Sequence, residues 1–540
     1  MKKSRLLILA AAMIVSVIVL TGCGNNESQK DSLKAECYNG TMLGQEEDGV
    51  ISFLGVPYAQ QPVGNLRWKA PAAAEASDEE IECYEFGHTA CQYEWPTEPA
   101  SYYEKGEDCL TLNVWKSSKE TDEPKAVMFW IHGGGNAWGG TTDPIYNGHN
   151  LVEEYPDVIF VTANYRLGLF AWPDFSDVPG GEEYTDINLG TRDLICALEW
   201  VQQNIEAFGG DPDNVTIMGQ SAGSINATAI LGSPKAEGLF SKVIAESCIA
   251  SFETRQSAKE FAEYIMDVSG CSNMDELLAV SAEEWMALDE EEGIGDVSCN
   301  LVVDGDVILD EEGREEVIAR NASNGVILMN GTVSHDENYF QEDMAGDTKE
   351  EKFENWHERV NADWNEYYDK AENRQAMDEF YELVGKTVDE EYASDEEVKD
   401  ALIKSDFRTN ILRKSHIDFS EKFSEDGTVY MYYWDVPSTK ENYYKSACHA
   451  VELSYVLNNP EEDIYSGEVD ATTAAKAQEA WVNFAKTGNP SIDGTEWGKY
   501  DIKDRNTMMI ELDRWYMESD PLSRIREIMN EVNAQWGNSH

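Results

Sequence analysis

Val215-Thr216-Ile217-Met218-Gly219-Gln220-Ser221-Ala222-Gly223 is the stretch that decides how this chain folds. Four β-prone residues enter a pentapeptide with a glycine two places either side of a serine, and a small-residue, helix-competent segment follows. The pattern predicts a strand, a sharp turn and a helix. A serine at the tip of such a turn sits in a cramped backbone conformation, and glycines at those spacings remove the Cβ atoms that would collide there. Five residues with three fixed positions also fit a plain Gly/Ser-rich loop, so the rest of the chain has to decide between the two.

Outward from that stretch lie 540 residues, 42% hydrophobic and 11% aromatic, with 15 Trp and 25 Tyr. Such a chain can bury a large core, and no Pro/Ser-rich linker divides it, so residues 35–540 read as one globular domain. Lys and Arg total 41 against 103 Asp and Glu, a formal charge of −62. That balance argues against nucleic acid and against anionic membrane surfaces as partners. It suits solubility, and a field of that sign disfavours anionic substrates.

The N-terminus runs Met1-Lys2-Lys3-Ser4-Arg5, then an apolar segment from Leu6 to Leu20, then Thr21-Gly22-Cys23. A basic, an apolar and a small-residue region in that order make an export signal, here residues 1–22. Leu20-Thr21-Gly22-Cys23 resembles the bacterial lipobox, which implies that Cys23 is acylated and that residues 23–34 form a lipidated tether on the extracytoplasmic side. An uncleaved anchor is the rival reading, but the apolar run is short for a membrane span. Acyl chains on one residue hold a protein stably once two or more are present.

Export permits disulfides among the remaining cysteines, Cys37, Cys83, Cys91, Cys109, Cys196, Cys248, Cys271, Cys299 and Cys448. Their number is odd, so at least one stays unpaired within the chain. Cys196 is read as that thiol, because it lies in a helical pattern with Leu194, Leu198, Val201 and Ile205. No C-x-x-C or tight Cys/His cluster supports a metal. Asp304, Asp306 and Asp310 invite a calcium reading, but Leu309 occupies the place where an EF-hand needs glycine.

Apolar strand runs at 126–131, 158–162, 242–246, 326–329 and 429–434 alternate with helical stretches, among them 192–205 and 479–490, where Gly488 reads as a helix stop. That alternation implies a mostly parallel sheet with crossover helices. Acidic runs at 289–292 and 389–391 read as solvated faces.

Several segments are more specific than any periodicity. Phe53-Leu54-Gly55-Val56-Pro57-Tyr58-Ala59, Glu107-Asp108-Cys109-Leu110-Thr111-Leu112-Asn113-Val114, His132-Gly133-Gly134-Gly135, Asn164-Tyr165-Arg166-Leu167-Gly168 and the Ser221 pentapeptide follow in that order. Together they resemble the type-B carboxylesterase/lipase family, which includes the cholinesterases. The resemblance implies an α/β-hydrolase fold, with a central, mostly parallel sheet flanked by helices and an insertion at about 341–425 covering the active site. It also implies a bridge from Cys91 to Cys109, worth roughly 3 kcal/mol in the chain-entropy picture. Cys37 with Cys83 and Cys271 with Cys299 are further pairings considered.

A serine hydroxyl is a poor nucleophile at neutral pH, so ester cleavage needs a base, an orienting acid and donors for the oxyanion. In α/β hydrolases the chain order is Ser, acid, His. After Ser221, His449 stands in His449-Ala450-Val451-Glu452, which is similar to the family's H-x-x-E around its base, whereas His335, His357 and His416 read as packing or surface residues. The acid falls in Gly331-Thr332-Val333-Ser334-His335-Asp336-Glu337. An ungapped register selects Asp336, and a slip of one residue selects Glu337. The resemblance assigns the oxyanion donors to the amides of Gly134, Gly135 and Ala222, although three glycines after a strand could be a tight turn alone, and it makes His132 structural. Two departures stand out: Gln220 where the family has glutamate, and Cys248 and Cys448 beside the site.

The expected function is a serine esterase acting on a small-molecule carboxylic ester, with no cofactor and no metal. Its rivals are a catalytically inactive adhesion or ligand-binding member of the same fold, and a transport-binding lipoprotein.

Overall fold

The computed structural model describes residues 32–534 apart from 94–101, 103, 120, 122, 295–298 and 460–464. The expected export signal, residues 1–22, and Cys23 lie outside the described residues. Eleven strands form the main sheet: β1 (Gln45–Glu47), β2 (Val50–Pro57), β3 (Thr111–Ser117), β4 (Lys125–Ile131), β5 (Val158–Ala163), β6 (Gly210–Gln220), β7 (Lys242–Glu246), β8 (Ile327–Val333), β9 (Thr428–Trp434), β10 (Asn506–Ile510) and β11 (Trp515–Ser519). Their spatial order is β1-β2-β3-β5-β4-β6-β7-β8-β9-β10-β11. The pairs from β5 to β10 are parallel, and antiparallel pairs close both edges.

The central strands are continuous apolar runs because both faces are covered. In β4 every residue is buried. Val127, Phe129 and Ile131 enter the apolar layer on one face, and Ala126, Met128 and Trp130 the layer on the other. Strand β6 starts earlier than its apolar pattern suggests. Gly210-Asp211-Pro212 belongs to it, with a break in register before Val215 that accommodates the proline.

Helix α1 (Leu189–Asn204) precedes β6, and helix α2 (Ala222–Leu231) follows it directly. The 341–425 segment is helical as expected, with α3 (Lys349–Tyr368), α4 (Arg374–Val384) and α5 (Glu396–Ser424). It has a core of its own, in which Phe407 meets Trp364 and Phe380 edge to face. Helix α6 (Ala471–Thr487) stops at Gly488 in the left-handed region, φ 74°.

The expected Cys91–Cys109 bridge is not formed, and no disulfide links the described cysteines. Cys91 and Cys109 line one small cavity as buried thiols. Burial pushes the Cys91 thiol up to about 12 and raises that of Cys109 too. Burial pushes Cys37 and Cys83 up to about 12 in the same way.

The aspartates considered for calcium have other partners. Asp304 and Asp306 accept from Arg192, Asp306 also faces Lys235, and Asp310 caps the helix Glu311–Ser323. Among the described residues no group of three ligating side chains could hold a metal ion, and no helix is long and apolar enough to cross a membrane.

One buried ion pair ties the loop after β5 to α1. Asp193 accepts from Arg166 at 2.8 Å (Nε), 2.6 Å (Nη2) and 3.0 Å (backbone N), and neither residue is more than 3% exposed. Removing one partner strands the other charge. Asp193→Ala should cost about 3–5 kcal/mol, read as a fall in the thermal unfolding midpoint, whereas an unchanged midpoint would show that Arg166 finds other compensation.

Candidate active site

Ser221 stands between β6 and α2 with φ 57° and ψ −127°. A non-glycine residue held there costs of order 1–3 kcal/mol. Glycine would relieve the strain and lose the hydroxyl. The flanking glycines are set by close approach: a Cβ on Gly219 would lie 2.5 Å from the carbonyl carbon of Gly223, and one on Gly223 would lie 2.0 Å from the oxygen of Ile131. The Ser221 amide donates to the Glu246 carbonyl at 3.0 Å, which pins the turn to β7.

Directly after β4, Gly134 (φ 98°) and Gly135 (φ 59°) adopt left-handed backbone. A Cβ on Gly134 would lie 2.1 Å from the Trp138 carbonyl oxygen. Among the described residues the amides of Gly134, Gly135 and Ala222 donate to no other group. That of Ala222 is the first in α2, where the helix leaves it unused. His132 serves the loop: its Nδ1 meets the Gly133 carbonyl at 2.8 Å, its ring stacks on Tyr165, and burial lowers it to about 4, so it is neutral. Asn136, which sequence reading did not single out, holds the far end of the loop. It has φ 62°, accepts from Asn226 Nδ2 at 2.7 Å and donates to the Cys299 carbonyl. Its position just past three glycines was the available signal.

Beyond β8, a single 3-10 turn, Asp336–Gln341, sends neighbouring side chains in different directions. Asp336 Oδ1 accepts from His449 Nδ1 at 2.9 Å. The two loops are also clamped through their backbones, by His449 N to Asp336 O and His335 N to Ala447 O. Glu337 turns away from the histidine to Arg359 on α3 and Arg408 on α5. The structure thus brings Asp336 to His449 and keeps Glu337 apart. His335 pairs with Asp406, His357 with Asp400 and His416 with Asn330, as packing residues do.

His449 is 6% exposed, between Phe340 (ring centroids 5.1 Å apart) and Tyr339. Burial disfavours its charged form, but the charge and hydrogen bond of Asp336, with Glu452 and Asp343 beyond, hold it above the ordinary histidine value. Beneath it lie two further acids with no exposure, Glu246 and Glu452. Both are pushed up, first by burial; for Glu246 the charge of Glu452 adds to this, and for Glu452 that of Asp336. Trp481 Nε1 donates to Glu246 at 2.6 Å, and the Ser247 hydroxyl donates to Glu452 at 3.3 Å. Among the described residues the Ser221 hydroxyl has no hydrogen-bond partner, and the group nearest the histidine ring from β6 is the Gln220 amide. Catalytic hydrogen bonds often tighten only when substrate arrives.

A mixed sheet of this order, crossed by helices and carrying a strand–serine–helix turn, defines an α/β hydrolase. The chain matches the Carboxylesterase family over residues 30–526 and belongs to it. It is 32% identical to the para-nitrobenzyl esterase of Bacillus subtilis (strain 168) over 506 residues, covering 90% of this chain and 96% of that one. With carboxylesterase 1C of Rattus norvegicus it shares 28% identity over 485 residues, 84% of each chain. A solved carboxylesterase of Geobacillus stearothermophilus superposes with a TM-score of 0.76 at 27% identity, over 92% of this chain and 99% of that one.

The split between adjacent acids can be checked directly. Asp336→Asn should lower kcat/KM toward a p-nitrophenyl ester by about 10³- to 10⁴-fold. Glu337→Gln should keep activity within about tenfold while lowering the thermal midpoint, because Arg359 and Arg408 lose their shared partner. The reverse ranking would move the acid to Glu337.

Proposed function

We propose that this carboxylic ester hydrolase works through an acyl-enzyme formed on Ser221. The observation that carries the reading is convergence: Ser221 at the end of β6, the Asp336–His449 pair from the loops after β8 and β9, and three undonated amides all lie at the C-terminal ends of the central parallel strands. In the first half-reaction Ser221 Oγ attacks the ester carbonyl carbon and gives its proton to His449 Nε2. The carbonyl oxygen becomes an oxyanion facing the amides of Gly134, Gly135 and Ala222, each such donor contributing ~3 kcal/mol to the transition state. Collapse breaks the ester bond, and the alcohol leaves with the proton from His449. Water then repeats the sequence on the acyl-serine. Asp336 holds the ring in the tautomer that leaves Nε2 free to accept, and stabilises the imidazolium as it forms.

Two rivals predict no turnover, namely an inactive adhesion protein and a transport-binding lipoprotein. The strained Ser221 and the buried Asp336–His449 hydrogen bond favour the enzyme, since neither rival needs them. The N-terminal sequence adds a location: residues 1–22 direct export, and Cys23 carries the lipid that holds the domain to the outer side of a bacterial membrane through a short tether.

A fluorophosphonate probe should label the wild-type protein and leave Ser221→Ala unlabelled; equal labelling of the two would sink the assignment. For pH, His449 accepts a proton only when neutral, so kcat/KM should fall about tenfold per pH unit on the acid side. Because Asp336 keeps the imidazolium favourable, the midpoint of that limb should lie above 6.5. Metabolic labelling with a fatty acid should mark the full-length protein and be lost in Cys23→Ala, and persistence of label in that variant would remove the anchor.

A further inference from the structure

Gln220 ends β6, is 3% exposed, and does not point at the serine beside it. Its Nε2 lies 3.2 Å from His449 Nε2 and 3.4 Å from His449 Nδ1. The two ring nitrogens present their lone pairs or N–H groups in diverging in-plane directions, so one atom close to both cannot lie in line with either. The carboxamide therefore sits across the face of the imidazole. Nδ1 remains available to Asp336 and Nε2 to Ser221. The other end of the amide rests against the loop after β4, where a Cβ built on Gly133 would lie 3.4 Å from Gln220 Oε1. One side chain thus spans the gap between the oxyanion loop and the base.

Whichever end of the carboxamide faces the ring, it brings a dipole and no net charge. The register makes that neutrality matter. Gln220 pairs with Glu246 across β6 and β7, and Glu246 pairs with Gly331 on β8. The groups that face His449 are Asp336 from the turn after β8, Glu452 from its own loop, Asp343 beyond the turn and Gln220 from β6, with Glu246 behind Glu452. A carboxylate at position 220 would be one more negative charge in a buried cluster that already holds Asp336, Glu246 and Glu452, and it would lie directly on the ring that becomes positive during catalysis.

We propose that Gln220 is a positioning residue for His449, holding the plane of the ring while withholding a charge from its face, so that the base stays neutral and active in more acidic medium than a glutamate there would allow. The proposal rests on His449 being the general base. Its effect is on the proton, not on the ester: the amide contacts the ring and leaves the acyl and alcohol sites untouched.

The test uses the full chain with ¹³C-labelled histidine in a Ser221→Ala background, so that it reads the contact without any turnover. The His449 signal, identified by its loss in H449N, should titrate with a midpoint at least one pH unit higher when Q220E is added. Coincident titrations would overturn the proposal. In active protein, Q220E should move the acid limb of kcat/KM the same way. Gln220→Met, close in volume but without the dipole, keeps the proposal testable if the charged variant does not fold. It should lower kcat several-fold with KM little changed and the acid limb in place, and an unchanged kcat would overturn the positioning role. Absence of fluorophosphonate labelling in the wild type would instead remove the esterase reading, and the titration difference would still report on the contact itself.

Discussion

The structure depends on how closely α2 passes the end of β4. At Gly223 there is no room for a single methyl group, since its Cβ would lie 2.0 Å from the Ile131 oxygen and 3.0 Å from that of His132. Three consequences follow from this one contact. The helix N-terminus, with its unused amide at Ala222 and the positive end of its dipole, arrives beside the glycine loop after β4. The turn before it has to fold sharply, which forces Ser221 to positive φ. Gln220, on the other side of the turn, is pressed between that loop and His449. A chain with alanine at 223 would have to lift the helix off the sheet and would lose the serine's geometry and the oxyanion loop together.

The sheet was legible in the sequence because strands covered on both faces are written as largely apolar runs: β4 after Lys125, β5 but for Thr162, and the Val243–Ala245 centre of β7. The polar start of β6 was not, since Asp211 and Pro212 carry none of that signal. The turn at Ser221 was legible because its glycine spacing is what the close packing there requires, whereas His449 was read from a family resemblance. Asp336 was legible only to within one residue. Two adjacent acids on a turn differ in which way each points, and that is decided by Arg359 and Arg408, 22 and 71 residues from Glu337. The Cys91–Cys109 bridge was implied by the family resemblance alone, and here both cysteines are buried free thiols.

The electrostatics of the site run against those of the molecule. The chain carries 103 acidic residues, most of which cost little because water surrounds them. Asp336, Glu246 and Glu452 have no such shelter, and each is stabilised separately: Asp336 by the imidazole, Glu246 by the Trp481 indole, Glu452 by the Ser247 hydroxyl. Burial pushes both Glu246 and Glu452 up, and repulsion between neighbouring carboxylates adds to it.

The turn Asp336–Gln341 also joins two parts of the molecule that could otherwise vary independently. Asp336 faces the base; Glu337 faces α3 and α5; Asn338 donates to Ser446 and accepts from Ser405; Tyr339 packs among Tyr443, Tyr465 and His449. Helices α3 and α5 are therefore anchored on the residue next to Asp336. A different segment at 341–425 has to neutralise Glu337 or replace it, because a buried carboxylate stripped of its partners costs several kcal/mol and the turn would move to relieve it. Any such movement would carry Asp336 away from His449, so the 341–425 segment also holds the geometry of the Asp336–His449 hydrogen bond.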